Sequence, residues 1–459
     1  MALELAGRKV LVVGLARSGV SAARLAARRG ARVLATDRRG AGELRDAAAA
    51  LAGLGVALTL GRHEVAEFTD ADLVVVSPGV PMAIPEIAAA RRAGVPVVAE
   101  VELAARHLEH VPLVAITGTN GKSTTTALAG ALFAADRRTF VGGNLGTPLS
   151  DLALAGGDVD VAVVELSSFQ LEGIERLRPR VAAILNVTPD HLDRYASVDA
   201  YAAAKARVLM NQQPGDVAVA NADDARAEGM AASTRGDVWT FGRGAPTARG
   251  VRDDGEALHL EDDAGGVERY LVRSRALRGA HNRENAMAAI ACARLLGVPG
   301  STAQRALDAF PGLPHRLELV SEHGGVEWVN DSKATNVDST RVGLSAFPAG
   351  RPSVLLILGG LGKKAPYAPL RDLFPGRVKA LLTIGEDAPA IERELGDAAP
   401  LERCGDLGRA VARAAALAAP GDTVLLSPAC ASYDQFQSYE HRGAAFRALV
   451  AALPEAPRP

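Results

Sequence analysis

Short, largely apolar runs separated by Ala-, Leu- and Arg-rich stretches recur along almost the whole chain. KVLVVG (9–14), ARVLATD (31–37) and ADLVVVSPG (71–79) are apolar at successive positions rather than at every second one. Such runs predict strands buried on both faces, as in a parallel sheet covered by helices. A second series opens with PLVAITG (112–118) and continues through DVAVVELSS (160–168) and VAAILNV (181–187). Beyond residue 215 the pattern changes to DVAVAN, DVWTFG, ALHLED and ERYLVRS, a strand-rich stretch with polar turns, before GAHNRENAMAAIACARLLG (279–297) predicts a long helix. The Pro-containing PGLPHR (311–316) marks a boundary, after which PSVLLILGG (352–360), ALLTIG (380–385) and DTVLLSPA (422–429) predict a third set of buried strands. At 459 residues the chain is too long for one core. The expected fold class is therefore α/β in three domains, residues 1–108, 109–313 and 314–459. The first and last are expected to be Rossmann-like, the middle one a P-loop-type domain with a parallel sheet plus a small extra sheet. The tail PEAPRP is expected to be disordered.

Composition narrows the class. Apolar residues make up 48% and charged residues 23% of the chain, as in ordinary globular protein. A net charge of −2 and 4% aromatic residues remove the basic face and the stacking platforms that a nucleic-acid partner requires. Cys292, Cys404 and Cys430 lie far apart, without metal-ligand spacing. The N-terminus runs straight into a strand, and no apolar run approaches the roughly 18 residues of a spanning helix, so no membrane insertion and a cytoplasmic location are expected. Lysine occurs only seven times against 44 arginines. Lysines retained in such a background point to places where a compact, flexible ammonium does what a planar guanidinium cannot.

Two glycine turns carry chemistry. In LVVGLARSG, Gly14 and Gly19 occupy the outer places of a G-x-G-x-x-G turn, but Ala16 stands in the middle; Asp37 follows at the end of the next strand, where a ribose-binding acid lies in such folds. A tight strand–helix turn explains the same residues without a ligand. GTNGKST (Gly118, Thr119, Asn120, Gly121, Lys122, Ser123, Thr124) is more specific. It follows a strand and opens a helix, so backbone amides and the helix start can hold phosphate oxygens, with Lys122 on the β- and γ-phosphates and Ser123 on Mg²⁺. ATP binding is expected there. Glu165, closing a buried strand, and His191, just after another, lie at carboxyl ends of parallel strands, where ligands and Mg²⁺ bind. Asp190 and Asp193 serve equally well as helix-cap acids. Lys205 lies in a helix soon after; Asn282 and Asn285 lie on neighbouring turns of another helix, as adenine readers or as caps; Asp331, Lys333 and Thr335 share one polar loop.

Taken together, GTNGKST, ELSSFQ, NVTPDHLDRY, the AAK helix, HNRENAMAA, LPHR, NDSKATN and SPACASYDQF resemble the Mur ligase family over nearly the full chain. NDSKATN and SPACAS near DQF resemble its D-glutamate-adding members in particular; GTNGKST is shared with folylpolyglutamate synthases. The resemblance implies an ATP- and Mg²⁺-dependent enzyme, expected to be monomeric, that joins D-glutamate to UDP-N-acetylmuramoyl-L-alanine. It implies that Leu15, Arg17, Ser18, Asp37, Arg38, Ser77, Asn144, Ser167, Gln170 and His191 contact the UDP-linked substrate. Lys122, Ser123 and Glu165 then hold ATP and its magnesium, with His191 as a further metal ligand. Lys205 matches a family lysine that is carbamylated and so becomes an anionic Mg²⁺ ligand. Asn282, Asn285, Arg316, Asp331, Lys333 and Thr335 line the adenine, ribose and phosphate side, and Lys363, Ser432 and Tyr439 hold D-glutamate. Two departures stand out: GGLGKK (359–364) lacks an aspartate common in relatives, and Tyr439 stands where phenylalanine is expected. The alternatives are another ligase of the superfamily with a different acceptor, and a nucleotide-regulated binding protein without turnover.

Overall fold

The computed structural model describes residues 3–192, 194–243, 249–262, 265–363 and 365–454. Asp193, Lys364 and the last five residues lie outside the described residues. The chain divides into two compact units, Met1–Val272 with Glu284–Asp308, and Arg273–Arg283 with Ala309–Pro459.

The first unit holds two sheets. In the N-terminal one the spatial order is Ala57–Leu60, Arg32–Asp37, Lys9–Val13, Leu73–Val76, Val97–Ala99, parallel throughout. Both faces are covered, which is why its strands are apolar at successive positions: Val10 and Val12 join one core, Leu11 and Val13 the other. The strand order reverses beside Lys9–Val13, and the turn at Gly14 sits at that switch point, the place where open α/β sheets take ligands.

The second sheet has nine strands. Its inner strand Leu113–Thr117 is wholly buried between Val161–Glu165 and Val181–Ile184. Beyond Val181–Ile184 the strand-rich stretch, expected as a small extra sheet, instead extends this sheet strand by strand, because Val217–Asn221 pairs directly with Val181–Ile184. Val217–Asn221, Asp237–Gly242 and Gly250–Asp253 continue it in parallel, and Leu258–Glu261 and Val267–Tyr270 close it antiparallel. The two sheets are coupled through the segment after Val97–Ala99. The Ala99 N–H donates to Gly173 O at 2.8 Å, and the fully buried Glu102 carboxylate accepts the N–H groups of Glu175, Arg176 and Leu177.

The second unit has one six-stranded sheet in the order Glu318–His323, Val326–Asn330, Thr423–Leu426, Val354–Gly359, Val378–Ile384, Leu401–Gly405. All pairs are parallel except the first, a hairpin. Val354–Gly359 again alternates between two cores, Leu355 and Ile357 on one side and Val354, Leu356 and Leu358 on the other. No helix of the described residues is long and apolar enough to cross a membrane.

Candidate active site

Strand Leu113–Thr117 delivers Gly118–Gly121 to the carboxyl edge of the central sheet, and helix Lys122–Ala134 begins at once with Gly121 as a left-handed N-cap (φ 83°). That conformation and a neighbour require glycine, since a Cβ on Gly121 would stand 2.2 Å from Asn285 Oδ1. Asn186, just past Val181–Ile184, laces the loop in place. Its Oδ1 accepts the N–H groups of Thr119 (3.2 Å) and Asn120 (2.8 Å), its Nδ2 donates to Asn120 O (3.2 Å), and its own carbonyl accepts Thr119 N–H (2.9 Å). Sequence reasoning missed Asn186; its one signal was its position at the end of a buried strand. Ser123 and Thr124 lie half-buried in the first helical turn, where N–H groups lack carbonyl partners within the helix.

Two lysines meet at this loop. Lys122 Nζ donates to the carbonyls of Gly118 (2.9 Å) and Thr119 (2.8 Å), and Lys205 Nζ, from helix Val198–Ala206, donates to the same Gly118 carbonyl at 2.7 Å. Lys205 is 1% exposed, with its ammonium 4.3 Å from the centre of the Tyr201 ring. Burial, reinforced by Lys122, pulls its pKa down to about 7 against the opposing pull of Asp190 and Glu165. Glu165 is buried at the end of its strand, beside Ile116. Asn144 Nδ2 donates to its Oε1 at 2.7 Å, whereas Oε2 is buried with no hydrogen-bond partner among the described residues. An unpartnered buried carboxylate oxygen is costly unless a cation meets it. Among the described residues no three His, Cys, Asp or Glu side chains gather into a metal site of their own. That donor set suits Mg²⁺, which is held by one or two protein oxygens plus substrate phosphates and water, better than a metal caged by protein alone.

His191 lies in left-handed conformation (φ 53°), its ring 4.8 Å from Phe169 and 6.0 Å from Tyr201, with Asp190 at 3.6 Å. Arg194 covers the same Phe169 ring, its guanidinium 3.8 Å from the ring centre. Asn285 is buried and accepts the Thr125 hydroxyl at 3.1 Å, so one of its polar atoms supports the loop helix. Ser167 and Gln170 form a reciprocal capping box at the start of Ser168–Leu171.

At the N-terminal turn, Gly14 is left-handed (φ 87°) and Gly19 lies against its carbonyl, which Ser77 Oγ also reaches at 2.7 Å. Asp37 accepts Leu15 N–H at 2.7 Å, together with the backbone and guanidinium of Arg39. Burial alone would raise this carboxyl, but the Arg39 and Leu15 hydrogen bonds overturn that and hold it at about 2. Arg39, adjacent to the expected Arg38, was missed; Arg38 faces Glu86 at 3.6 Å. Ser18 is half-buried, and Arg17 reaches Gly146 O at 2.8 Å, two residues from Asn144.

In the second unit, Asp331 accepts Ser427 Oγ (2.8 Å) and Leu317 N–H (3.3 Å), and burial lifts it to about 7. Lys333 lies over the Tyr439 ring at 5.4 Å, Lys363 Nζ reaches Thr335 Oγ1 at 3.5 Å, and Arg316 Nε is buried without a hydrogen-bond partner among the described residues. Asn282 is buried, its Nδ2 donating to Arg278 O at 3.0 Å. Leu361 and Ala431 exchange both backbone hydrogen bonds (2.9 and 3.0 Å), which joins the loop carrying Lys363 to the loop carrying the buried Ser432.

Three family models cover most of the chain: Mur ligase MurD-like N-terminal domain at residues 8–99, Mur ligase middle domain at 116–293, and Mur ligase glutamate ligase domain at 315–430. The chain belongs to the Mur ligase family. It is 70% identical over 454 residues to the UDP-N-acetylmuramoylalanine–D-glutamate ligase of Anaeromyxobacter dehalogenans, covering 97% of this chain and 98% of that one. It is 56% identical over 461 residues to the ligase of the same name from Myxococcus xanthus, covering 99% and 100%. A solved UDP-N-acetylmuramate-alanine ligase from Thermotoga maritima has the same fold, with a TM-score of 0.59 at 21% identity over 97% of this chain and 100% of that chain.

Proposed function

We propose that the chain is an ATP-dependent amide ligase that adds D-glutamate to UDP-N-acetylmuramoyl-L-alanine, a step in making peptidoglycan precursors. Near-full-length identity to two ligases of that name supports the substrates. The observation that carries the chemistry is the loop Gly118–Gly121 with two lysines on one carbonyl and a carboxylate oxygen left unpartnered beside it.

Joining a carboxylate to an amine is uphill in water, so the alanine carboxylate must first be activated. It takes the γ-phosphoryl group of ATP to form an acyl phosphate, with ADP as the leaving group; the neutral D-glutamate amine then adds to its carbonyl, and phosphate leaves as the nitrogen loses a proton and the amide forms. The protein's part is positioning and charge stabilisation. Lys122 and the loop amides hold the phosphates, Ser123 and Glu165 hold Mg²⁺, and His191 and Asn144 contact the muramoyl-alanine end. When bound there, Mg²⁺ would neutralise charge on the phosphate groups. On this reading residues 1–108 take the UDP moiety through the Gly14 turn, with Leu15, Arg17, Ser18, Arg38 and Ser77. Residues 109–313 take ATP, and 314–459 take the amino acid through Lys363, Ser432 and Tyr439. Arg316, Asp331, Lys333 and Thr335 serve the ribose and phosphates.

Lys205 is assigned as a carbamate. With its pKa near 7 a large fraction of the amine is neutral at physiological pH, and a neutral amine adds to CO₂, releasing a proton and leaving an anionic oxygen donor. A cytoplasmic, monomeric enzyme completes the reading. The test is phosphate release with UDP-N-acetylmuramoyl-L-alanine and D-Glu, L-Glu, Gly or diaminopimelate in turn. Release with D-Glu alone is expected; equal release with another acceptor overturns the assignment.

A further inference from the structure

The loop carrying Lys363 leans on a second set of polar groups that the reaction itself does not call for. Gly360, at φ 137°, faces Ala431 O and Cys430 Cβ closely enough that a Cβ there would stand 2.4 and 3.1 Å from them. From the turn after Val378–Ile384, Asp387 N–H donates to Gly360 O at 3.0 Å. The carboxylate of Asp387 lies against Gly362: a Cβ on that glycine would be 2.0 Å from Asp387 Oδ2 and 2.3 Å from its Cγ. Tyr367, 2% exposed, donates its hydroxyl to the same Oδ2 and touches Cys430 Sγ at 3.0 Å. Burial and then the carboxylate push the Tyr367 phenol well above its usual range, so it stays a donor. From the other side Asp434 Oδ2 accepts Glu386 N–H at 3.1 Å and packs on Gly385, where a Cβ would approach it to 2.4 Å and Gly360 Cα to 2.5 Å. Phenol, carboxylate and three glycines thus interlock the turn at 385–387, the loop at 359–363 and the loop at 428–434.

We propose that Asp387, oriented by the Tyr367 hydroxyl, is a positioning residue of the amino-acid site: it fixes the backbone at Gly360 and Gly362 and so aims Lys363 at a carboxylate of the incoming D-glutamate. The proposal rests on the reading of Lys363 given above. Loop residues 359–363 contain no acid or hydroxyl of their own, and Leu361 among them is exposed, so the loop gets its side-chain anchor from outside. A carboxylate suits the task because it accepts the phenol hydrogen bond while lying against a glycine that leaves it room. A residue that acts on geometry in this way changes affinity for the ligand that Lys363 meets and leaves the ATP loop alone.

The test compares wild type, Asp387→Asn, Tyr367→Phe and Lys363→Ala by KM for D-glutamate, ATP and the UDP substrate, alongside thermal melting. Asp387→Asn is expected to raise KM for D-glutamate about tenfold, and Tyr367→Phe about threefold, with the other two KM values within about twofold of wild type. If Lys363→Ala raises KM for D-glutamate and Asp387→Asn does not, Asp387 does not position the loop. If Asp387→Asn instead shifts all three KM values together with a lower melting temperature, its role is structural only and the proposal falls. An unchanged KM for D-glutamate in Lys363→Ala removes the underlying reading of the loop, and the proposal with it.

Discussion

Two glycine turns in the first unit join a buried strand to a helix, and their surroundings are opposite. At Gly14–Gly19 the protein satisfies its own turn: Gly19 and Ser77 press on the Gly14 carbonyl, and Asp37 takes the Leu15 N–H with Arg39 saturating its other side. At Gly118–Gly121 the loop is laced by Asn186 and by the Thr119 hydroxyl, while Lys122 and Lys205 share the Gly118 carbonyl and Glu165 keeps a buried carboxylate oxygen with no hydrogen-bond partner among the described residues. Glycine spacing supplies a backbone path in both. At the second turn burial has also unsettled the ionic state of Lys205 beside that path. Asp37 is held firmly ionised, at about 2; Lys205 is held at the edge of ionisation, at about 7.

The comparison breaks most visibly at Lys122. Lys122→Ala should lower ATP-dependent phosphate release about 10³-fold by removing charge from the transferring phosphates. Near wild-type turnover would mean that the second turn is no more catalytic than the first. Lys205→Ala should lose most activity, regaining part with added formate or acetate as substitute oxygen donors. For the unmodified enzyme the amine must be neutral to take up CO₂, so added bicarbonate should restore activity to CO₂-depleted protein above about pH 7 and progressively less below it. The sign for stability follows from the same shift. The unfolded amine, at 10.5, holds a proton that the folded one has released above about 7, so CO₂-depleted protein should gain stability as pH rises across that window. Lys205→Met should flatten the rise in a series of melting curves.

Glu165→Gln should cost about 10²-fold in kcat and raise the Mg²⁺ concentration needed for half-maximal rate. An unchanged Mg²⁺ titration would remove Glu165 from the metal site. At the first turn the expected effects are smaller and of another kind. Gly19→Ala puts a Cβ 1.8 Å from Gly14 O and should cost about 1–3 kcal/mol of stability, raising KM for the UDP substrate more than KM for ATP. The smallest concerns Asp37. Its pKa is depressed from 3.8 to about 2, so the stability it contributes is complete above pH 3.8 and lost as pH falls towards 2. Asp37→Asn should therefore shrink the acid limb of the stability profile while leaving kcat almost untouched.

Much of this site is legible before any folding is considered, because a phosphate loop is local: seven consecutive residues after an apolar run contain the turn, the helix start, the lysine and the hydroxyls. Apolar runs buried on both faces were equally legible. Elements of mixed composition were not. Thr139–Gly143, at the edge of the central sheet, is half-buried with two glycines, and Glu318–His323 is a partly exposed edge strand of a hairpin. Asn186 and Arg39 escaped notice for a related reason. An asparagine or arginine beside an expected site residue has no periodicity to reveal it, and its role exists only once distant loops arrive.

The sequence by itself determined the fold class and the two glycine paths, since each depends on short-range spacing that local physics reads directly, and its motifs carried the resemblance to the family. Only the tertiary structure decided the ionic states. Lys205 meets Gly118 across 87 residues, Asn144 meets Glu165 across 21, and Leu15 meets Asp37 across 22. The pKa of a side chain follows from how much water it loses and which charges stand beside it, and neither exists until the chain has folded.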